Sequence, residues 1–419
     1  MATPWMACLL FEPGLARSPG PCRTIGPAAD LMRITIVNGF FLPVPPISGG
    51  ATEKSWYCLG REFAARGHTV TQISRQWRSY PPSETAEGVV HVRLKGCDHT
   101  RHLWRNLVHD WFWSWRVFRA LPAADIVVVN SVMLPIWLGR LKPAAGRVVV
   151  MPGRVPKGQY RFYRRLARII APSEFVRERV VSENPALDPL VRVCGYPINW
   201  TLIQSPATVR PSAADLRSGP DLVVGYVGRL HEEKGLLLLA DAARLLGKQP
   251  GIPPWRLLVC GPSDVSRGGS GTAFRNKLVS RLSSAIPGGR FHLLNPEFNE
   301  RVLAGIYRQL DVFCYPSLAA QGETFGVAIA EAMAGGAVPV VSSLPVFSGL
   351  IRSGANGLVF DHAAADAPAR LAAALGRLLG DEALRRQLSL AAQEDSRRYD
   401  FPNYAEDLLA DFARIIRPA

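Results

Sequence analysis

No apolar run in the chain approaches the roughly 20 residues a helix needs to span a membrane, which argues against an integral membrane protein. No Cys-x-x-Cys pair occurs. The cysteines (Cys8, Cys22, Cys58, Cys97, Cys194, Cys260, Cys314) are scattered and odd in number. That argues against a disulfide framework or a zinc site and makes the cytoplasm the natural compartment. Neither strand–turn that opens a half of the chain carries Gly-x-Gly-x-x-Gly, so a nicotinamide dehydrogenase is disfavoured. Acids are scarce relative to bases, 34 Asp and Glu against 49 Lys and Arg, for a net charge of +15. The expected partner is anionic, a phosphate or an acidic membrane surface; a coding bias toward Arg is the ordinary alternative. Nucleic acid would rest on net charge alone and is not expected.

What is present is an alternation of short β runs and helical stretches over 419 residues, 48% of them hydrophobic. Residues 1–31 are rich in Pro and Gly and read as a disordered tail or a misplaced start, since Met32 is followed at once by the strand "RITIVNGF". Residues 32–200 predict one doubly wound α/β domain. Pro and polar residues over 201–220 read as a linker. Residues 221–395 predict a second such domain, and 396–419 a closing amphipathic helix. Two such sheets in tandem should face each other by their strand ends across a cleft, where ligands bind. Pro339 weakens the strand reading of "AVPVVSS".

Chemistry concentrates in the second half. The strand "LVVGYVG" runs into "RLHEEKG", which places Arg229 and Lys234 at the ligand edge, where two cations on a flexed turn suit a pyrophosphate. The alternative is a solvated turn with Lys234 paired to Glu232 or Glu233. "GETFGVAIAEAMAGG" then predicts a helix from near Gly326 to a left-handed cap at Gly335. Glu323 precedes it and Glu331 lies inside it. Between them come the amides of Phe325, Gly326 and Val327, a helix N-terminus that attracts phosphate. Carboxylate, phosphate site, carboxylate matches the sugar, pyrophosphate and ribose of a nucleotide sugar. Two solvated helix acids are the alternative, disfavoured by the apolar surroundings.

The set "YVGRLHEEKG", "LLVCGPSD", "GETFGVAIAEAMAGGAVPVV" and "GANGLVFD" resembles the retaining glycosyltransferases of family 4, strongly over 222–361 and more weakly before it. The resemblance implies the GT-B fold, two tandem Rossmann-like domains, and an E-x7-E motif on Glu323 and Glu331. It implies that Glu323 contacts the donor sugar and Glu331 the ribose, that Arg229 and Lys234 hold the diphosphate, that Gly261 lines the donor site, and that Asn295 and Pro296 lie near the base. It implies a UDP- or GDP-linked donor, a closing helix that crosses back to the first domain, and no cofactor. With no Asp-x-Asp triplet in the chain, a metal-bridged diphosphate is not expected. Arg229, Lys234 and the helix N-terminus would neutralise the leaving group instead.

In the first half, "PISGGATEKS" places Gly49 and Gly50 before a helix; in the resembling family this pair faces the donor diphosphate. Glu53 and Lys54 follow, facing cleft or solvent. Many family members carry a His at the end of an N-domain strand; "VVVMPGRVPKGQY" has none. Arg154 and Lys157 stand there, ordinary loop cations or a basic face for a phosphorylated or lipid-linked acceptor. Apolar residues at 104, 108, 111, 115 and 118 form a helical stripe, expected to pack in the core. The second reading of that stripe is peripheral contact with the inner face of a membrane. Transfer of a sugar to a glycan, lipid-linked or small-molecule acceptor is the expected activity. A GT-B sugar-nucleotide epimerase and a non-catalytic nucleotide-sugar-binding scaffold are the rivals.

Overall fold

The computed structural model describes residues 31–47, 50–77, 80–100, 102–206, 221–286 and 288–417. All of the expected tail but Leu31, together with Gly49 and most of the expected linker, lies outside these residues. The first half supplies β1 (Arg33–Val37), α1 (Ala51–Ala65), β2 (Thr69–Arg75), β3 (Ser83–Ala86), β4 (Val89–Leu94), α2 (Leu103–Ala120), β5 (Ile126–Val129), α3 (Leu134–Leu141), β6 (Arg147–Val150), β7 (Leu166–Ala171), α4 (Glu174–Glu183) and β8 (Val191–Val193). They form one eight-stranded sheet in the order β3-β4-β2-β1-β5-β6-β7-β8. All pairs are parallel except β3 with β4. β1 and β5 are buried apolar runs, as expected of strands covered on both faces.

α5 (Trp200–Gln204) sits at the start of the segment read as a linker. The second sheet takes β9 (Leu222–Val227), α6 (Leu236–Leu246), β10 (Trp255–Cys260), α7 (Gly271–Ala285), β11 (Phe291–Leu294), α8 (Glu300–Tyr307), β12 (Val312–Tyr315), α9 (Val327–Ala334), β13 (Val338–Ser342), β14 (Leu358–Phe360) and α10 (Ala367–Gly380). Its order is β11-β10-β9-β12-β13-β14, all parallel. Pro339 is accommodated because β13 pairs with β14 only from Val340 onward. The two sheets are the two Rossmann-like halves of the GT-B fold.

α11 (Glu382–Arg397) and α12 (Phe401–Ile416) close the chain. α12 seats on the first domain: Phe412 meets Phe63 of α1 edge-on, and Asp411 takes a two-pronged ion pair from Arg168 of β7 at 2.9 and 3.0 Å. Asp400 caps α12 through the Phe401 amide and also accepts from the Thr201 amide.

Six elements were not expected from the sequence: β3, an edge strand reading Ser-Glu-Thr-Ala; α3, with Pro135 in its first turn; the three-residue β8 and β14; the short α5; and α11. The larger correction is α2. The stripe expected in the core faces solvent, with Trp104 62%, Val108 44%, Trp111 44% and Trp115 42% exposed; Phe118 is half-buried. The buried face is Asp110, Trp113, Ser114 and Val117. Polar bonding decides the rotation. Asp110 accepts the Val132 and Met133 amides at 2.9 and 2.7 Å, and Trp113 donates its indole N–H to the Asn38 carbonyl at 3.1 Å.

Candidate functional site

The C-terminal ends of β9, β10 and β12 converge on one edge. Gly228 directly follows β9, and its amide donates to the Cys260 carbonyl at 2.9 Å. A Cβ on Gly261 would stand 1.8 Å from the Gly228 carbonyl oxygen, so the two turns touch backbone to backbone and leave a floor free of side chains. Asn295 and Pro296 follow β11 beside this floor, and the Cys260 thiol donates to the Asn295 carbonyl at 3.4 Å.

Beyond Gly228 the chain turns through Arg229 into a short helical turn over Glu232–Lys234. Gly235, in the left-handed region at φ 67°, lets that turn press against β12: a Cβ there would lie 1.9 Å from the Pro316 carbonyl oxygen. Arg229 donates to Glu233 at 3.0 Å and to the Gly268 carbonyl at 2.8 Å, with its side chain 41% exposed. Lys234 is buried, and its ammonium donates to Glu323 Oε1, with Glu233 at 3.9 Å. It therefore pairs chiefly with Glu323, and only at longer range with the neighbouring glutamate that sequence offered.

Glu323 is likewise buried. Its Oε1 also accepts the Tyr315 hydroxyl at 3.1 Å and the Ser317 hydroxyl at 2.8 Å, while Oε2 accepts no hydrogen bond among the described residues. One oxygen fixes the carboxylate, and the other is left for a ligand. Burial first, and the Glu323 carboxylate next, push the Tyr315 phenol well above its ordinary range, so it remains a hydrogen-bond donor.

Three residues on, Gly326 at φ 109° opens α9. The amides of Phe325, Gly326 and Val327 donate to no other described group, as a helix N-terminus predicts. The helix ends otherwise than expected: Gly335 has right-handed helical angles, and Gly336, at φ 91°, takes the left-handed position. Glu331 stays half-buried. It accepts the Tyr307 hydroxyl at 2.9 Å and faces the Lys54 ammonium at 3.5 Å.

That contact crosses between domains, because Lys54 stands on α1. Lys54 also meets Glu300 of α8 at 3.4 Å, and Asn199 donates to Glu300 at 3.1 Å. Burial works against the Lys54 charge, but the Glu331 and Glu300 carboxylates outweigh it and hold the ammonium above its ordinary range. Lys54 thus faces the cleft. So does Glu53, packed where a Cβ on Gly50 would strike its Oε2 at 2.5 Å. Burial raises its pKa, opposed by its own amide and by the Arg154 charge.

On the first domain, Gly153 abuts Thr52 of α1, and Arg154 is exposed close enough to act electrostatically on both Glu53 and His99. Lys157 is exposed on the same loop, its amide bonded to Gln159 at 2.8 Å. His99, an exposed histidine of the loop after β4 near Arg154, does not stand at a strand end. Four buried oxygens at the ends of β1 and β5 and on α2 also lack partners among the described residues: Asn38 Oδ1, Asn130 Oδ1, Ser131 Oγ and Ser114 Oγ. For Asn38, Asn130 and Ser131 the sequence signal was a polar residue after an apolar strand; Ser114, inside α2, carried none. A cavity of about 380 Å³ lies apart from Arg229, Lys234 and Glu323, where Ser173 and Gly195 of the first domain and Phe325 and Leu350 of the second meet Tyr399 and, on α12, Tyr404 and Leu408.

Residues 212–395 match the family described as Glycosyl transferases group 1. The chain is 34% identical over 190 residues to a D-inositol 3-phosphate glycosyltransferase of Corynebacterium urealyticum (strain ATCC 43042 / DSM 7109), covering 45% of this chain and 42% of that protein. Two further relatives of that name are covered over 40% and 41% of their length, so the chain matches less than half the length of these curated relatives. Among solved structures it is similar to a UDP-forming trehalose-phosphate synthase from Burkholderia xenovorans, with TM-score 0.72 and 15% identity over 92% of this chain and 99% of that one. It is also similar to Anabaena Alr3699/HepE in complex with UDP and glucose, with TM-score 0.65 and 16% identity over 91% and 99%.

Proposed function

We propose that this chain, which carries a glycosyl transferases group 1 domain over residues 212–395, moves a sugar from a nucleotide-diphosphate donor to a hydroxyl acceptor. One observation carries the reading: the buried Lys234–Glu323 pair sets Glu323 two residues before the amides of Phe325, Gly326 and Val327 that open α9, with Glu331 eight residues on. Lys234 spends one N–H on Glu323 and keeps two for phosphate oxygens. Arg229 and the helix N-terminus add charge at the same edge. Glu323 Oε2 then takes a sugar hydroxyl and Glu331 the ribose, on the floor formed by Gly228 and Gly261. Asn295 and Pro296 flank the base, uridine or guanosine.

The geometry suits a leaving-group-driven reaction that needs no metal. The bond from the anomeric carbon to the diphosphate oxygen breaks with its electron pair passing to the diphosphate, where Lys234, Arg229 and the α9 amides stabilise it. The acceptor oxygen attacks on the face the diphosphate leaves, its proton passes to a diphosphate oxygen, and configuration is retained. Glu323 orients the ring and supports the positive charge that develops there. The acceptor enters from the first domain, past Arg154 and Lys157 and the unpartnered oxygens of Asn38, Asn130 and Ser131. A phosphate-bearing polyol or a lipid-linked sugar meets that lining.

Glu323→Gln should lower kcat by about 10²-fold or more while changing nucleoside-diphosphate affinity less than about threefold, read by turnover and calorimetry on the same preparation. Equal loss of both would remove Glu323 from the sugar. Sugar epimerised without any acceptor would move the chain to the epimerase class, and donor binding with neither transfer nor hydrolysis would make it a scaffold.

A further inference from the structure

The exposed face of α2 is the largest apolar feature that the transfer reaction leaves unused. Leu103, Trp104, Val108, Trp111, Phe112 and Trp115 are all exposed along one helix. Isolated exposed apolar residues need no explanation, but a continuous aromatic stripe does. It is rigidly mounted. Trp111 packs edge-on against Trp137 of α3 with ring centroids 4.7 Å apart, and the opposite face is anchored through Asp110 and Trp113. Leu141, at the end of α3, extends the apolar surface.

The charge around it is mostly positive; the nearby Asp98 is paired with Arg75 at 2.7 Å. Between His99 and Ser173 the sequence holds thirteen Lys and Arg and two acids, Asp110 and Asp125. Both acids are spent, Asp110 on the backbone amides beyond β5 and Asp125 on Arg33 at 2.8 Å. Arg105 lies over Trp104 and Arg119 over Trp115, with the cation 5.3 and 5.8 Å from the ring centre. The exposed Arg161, Phe162, Arg164 and Arg165 adjoin α3, where the Arg165 carbonyl stands 3.1 Å from the position of a Cβ on Gly139. Aromatic rings bordered by guanidinium groups, with no free carboxylate among them, suit the interface of an anionic bilayer: rings at the acyl boundary, cations among lipid phosphates.

We propose that α2 docks this protein onto anionic membrane surfaces, its aromatic stripe lying in the interface plane and the Arg residues of α2 and of 161–165 meeting the headgroups. The docked face adjoins the cleft. Asn106 of α2 contacts His99 at 3.2 Å, and His99 packs against Phe41 with centroids 5.3 Å apart. The bilayer therefore lies beside the edge where Arg154 and Glu53 stand. The docking is independent of the transfer chemistry and is read without it.

Co-sedimentation of the full chain with phosphatidylcholine vesicles, with and without about one third phosphatidylglycerol, tests the proposal. Binding to the anionic vesicles is expected, with a blue shift in tryptophan emission and release at high salt. Trp104→Ser with Phe112→Ser and Trp115→Ser should weaken binding at least tenfold with the melting temperature unchanged. Arg105→Ala with Arg119→Ala should remove most of the salt dependence. No binding to either vesicle, or full binding by the serine variant, would overturn the proposal. So would a dimer in sedimentation that the serine variant dissolves, since the face would then belong to a second copy.

Discussion

The ligand edge of the second sheet and the facing edge of the first are built in opposite ways. On the second, Lys234 and Glu323 are already paired and buried, glycines bring backbone against backbone, and the amides of one helix start are left open. On the first, Arg154 and Lys157 are exposed, several buried oxygens have no partner among the described residues, and a buried carboxylate sits with its pKa raised. A preassembled site suits a ligand part that recurs, such as a diphosphate. An edge with unsatisfied groups suits a partner that completes it on arrival, which supports the proposed division of donor and acceptor between the domains.

Breaking the finished edge should cost most. Lys234→Ala strips the buried Glu323 of its cation. Stability should fall by about 3–5 kcal/mol and turnover by about 10²-fold, read by denaturant titration and initial rates. Lys234→Met with Glu323→Leu should regain much of the stability and none of the activity. If the single variant keeps wild-type stability, the pair is not the anchor described here.

The unfinished edge should show its cost in pH. Burial holds the Asp110 carboxyl up at about 6 against an ordinary 3.8, opposed by the amides it accepts. The folded chain therefore keeps this proton to higher pH than the unfolded chain, and stability falls as pH rises from about 4 through 6, then levels. Asp110→Asn should gain on wild type over that window by about 3 kcal/mol, at about 1.4 kcal/mol per unit. A difference that does not vary with pH would show that Asp110 carries no such penalty.

Glycines sharpen the contrast further. Gly261→Ala drives a Cβ into the Gly228 carbonyl and should cost about 1–3 kcal/mol together with nucleotide affinity. Gly158→Ala, with nothing within 4 Å at φ 102°, should cost only about 1–2 kcal/mol of backbone strain and leave nucleotide affinity intact. Melting curves with and without nucleotide separate the two. The smallest effect belongs to the bridge between the edges. Lys54→Met removes a partly exposed pair worth about 0.2–1 kcal/mol, so donor KM should shift less than about fivefold at unchanged kcat. A large fall in kcat would make Lys54 part of the chemistry.

The same division governs what could be read from residues alone. The second edge was legible because its parts are local in the chain: a strand, a glycine turn with two cations, a helix start between two glutamates. The Lys234–Glu323 contact itself was not, since it joins residues 89 apart and competes with an adjacent glutamate. α2 was misread because periodicity gives a stripe without its direction. Trp113, Asp110 and Ser114 were drawn inward by bonds to Asn38 and to the turn after β5, information held outside the helix. The cap moved from Gly335 to Gly336 because two adjacent glycines serve equally by sequence. Gly335 instead packs so closely on Tyr307 that a Cβ would lie 2.8 Å from its carbonyl oxygen.

Thermal stability with UDP, GDP and ADP, on wild type and Lys234→Ala, tests the central claim most directly. One nucleoside diphosphate at about 100 times its dissociation constant should stabilise wild type by about 2.7 kcal/mol, a shift of several degrees unaffected by EDTA and absent from Lys234→Ala. A shift that survives in the variant, or one that EDTA abolishes, would contradict a diphosphate held by Lys234, Arg229 and the start of α9.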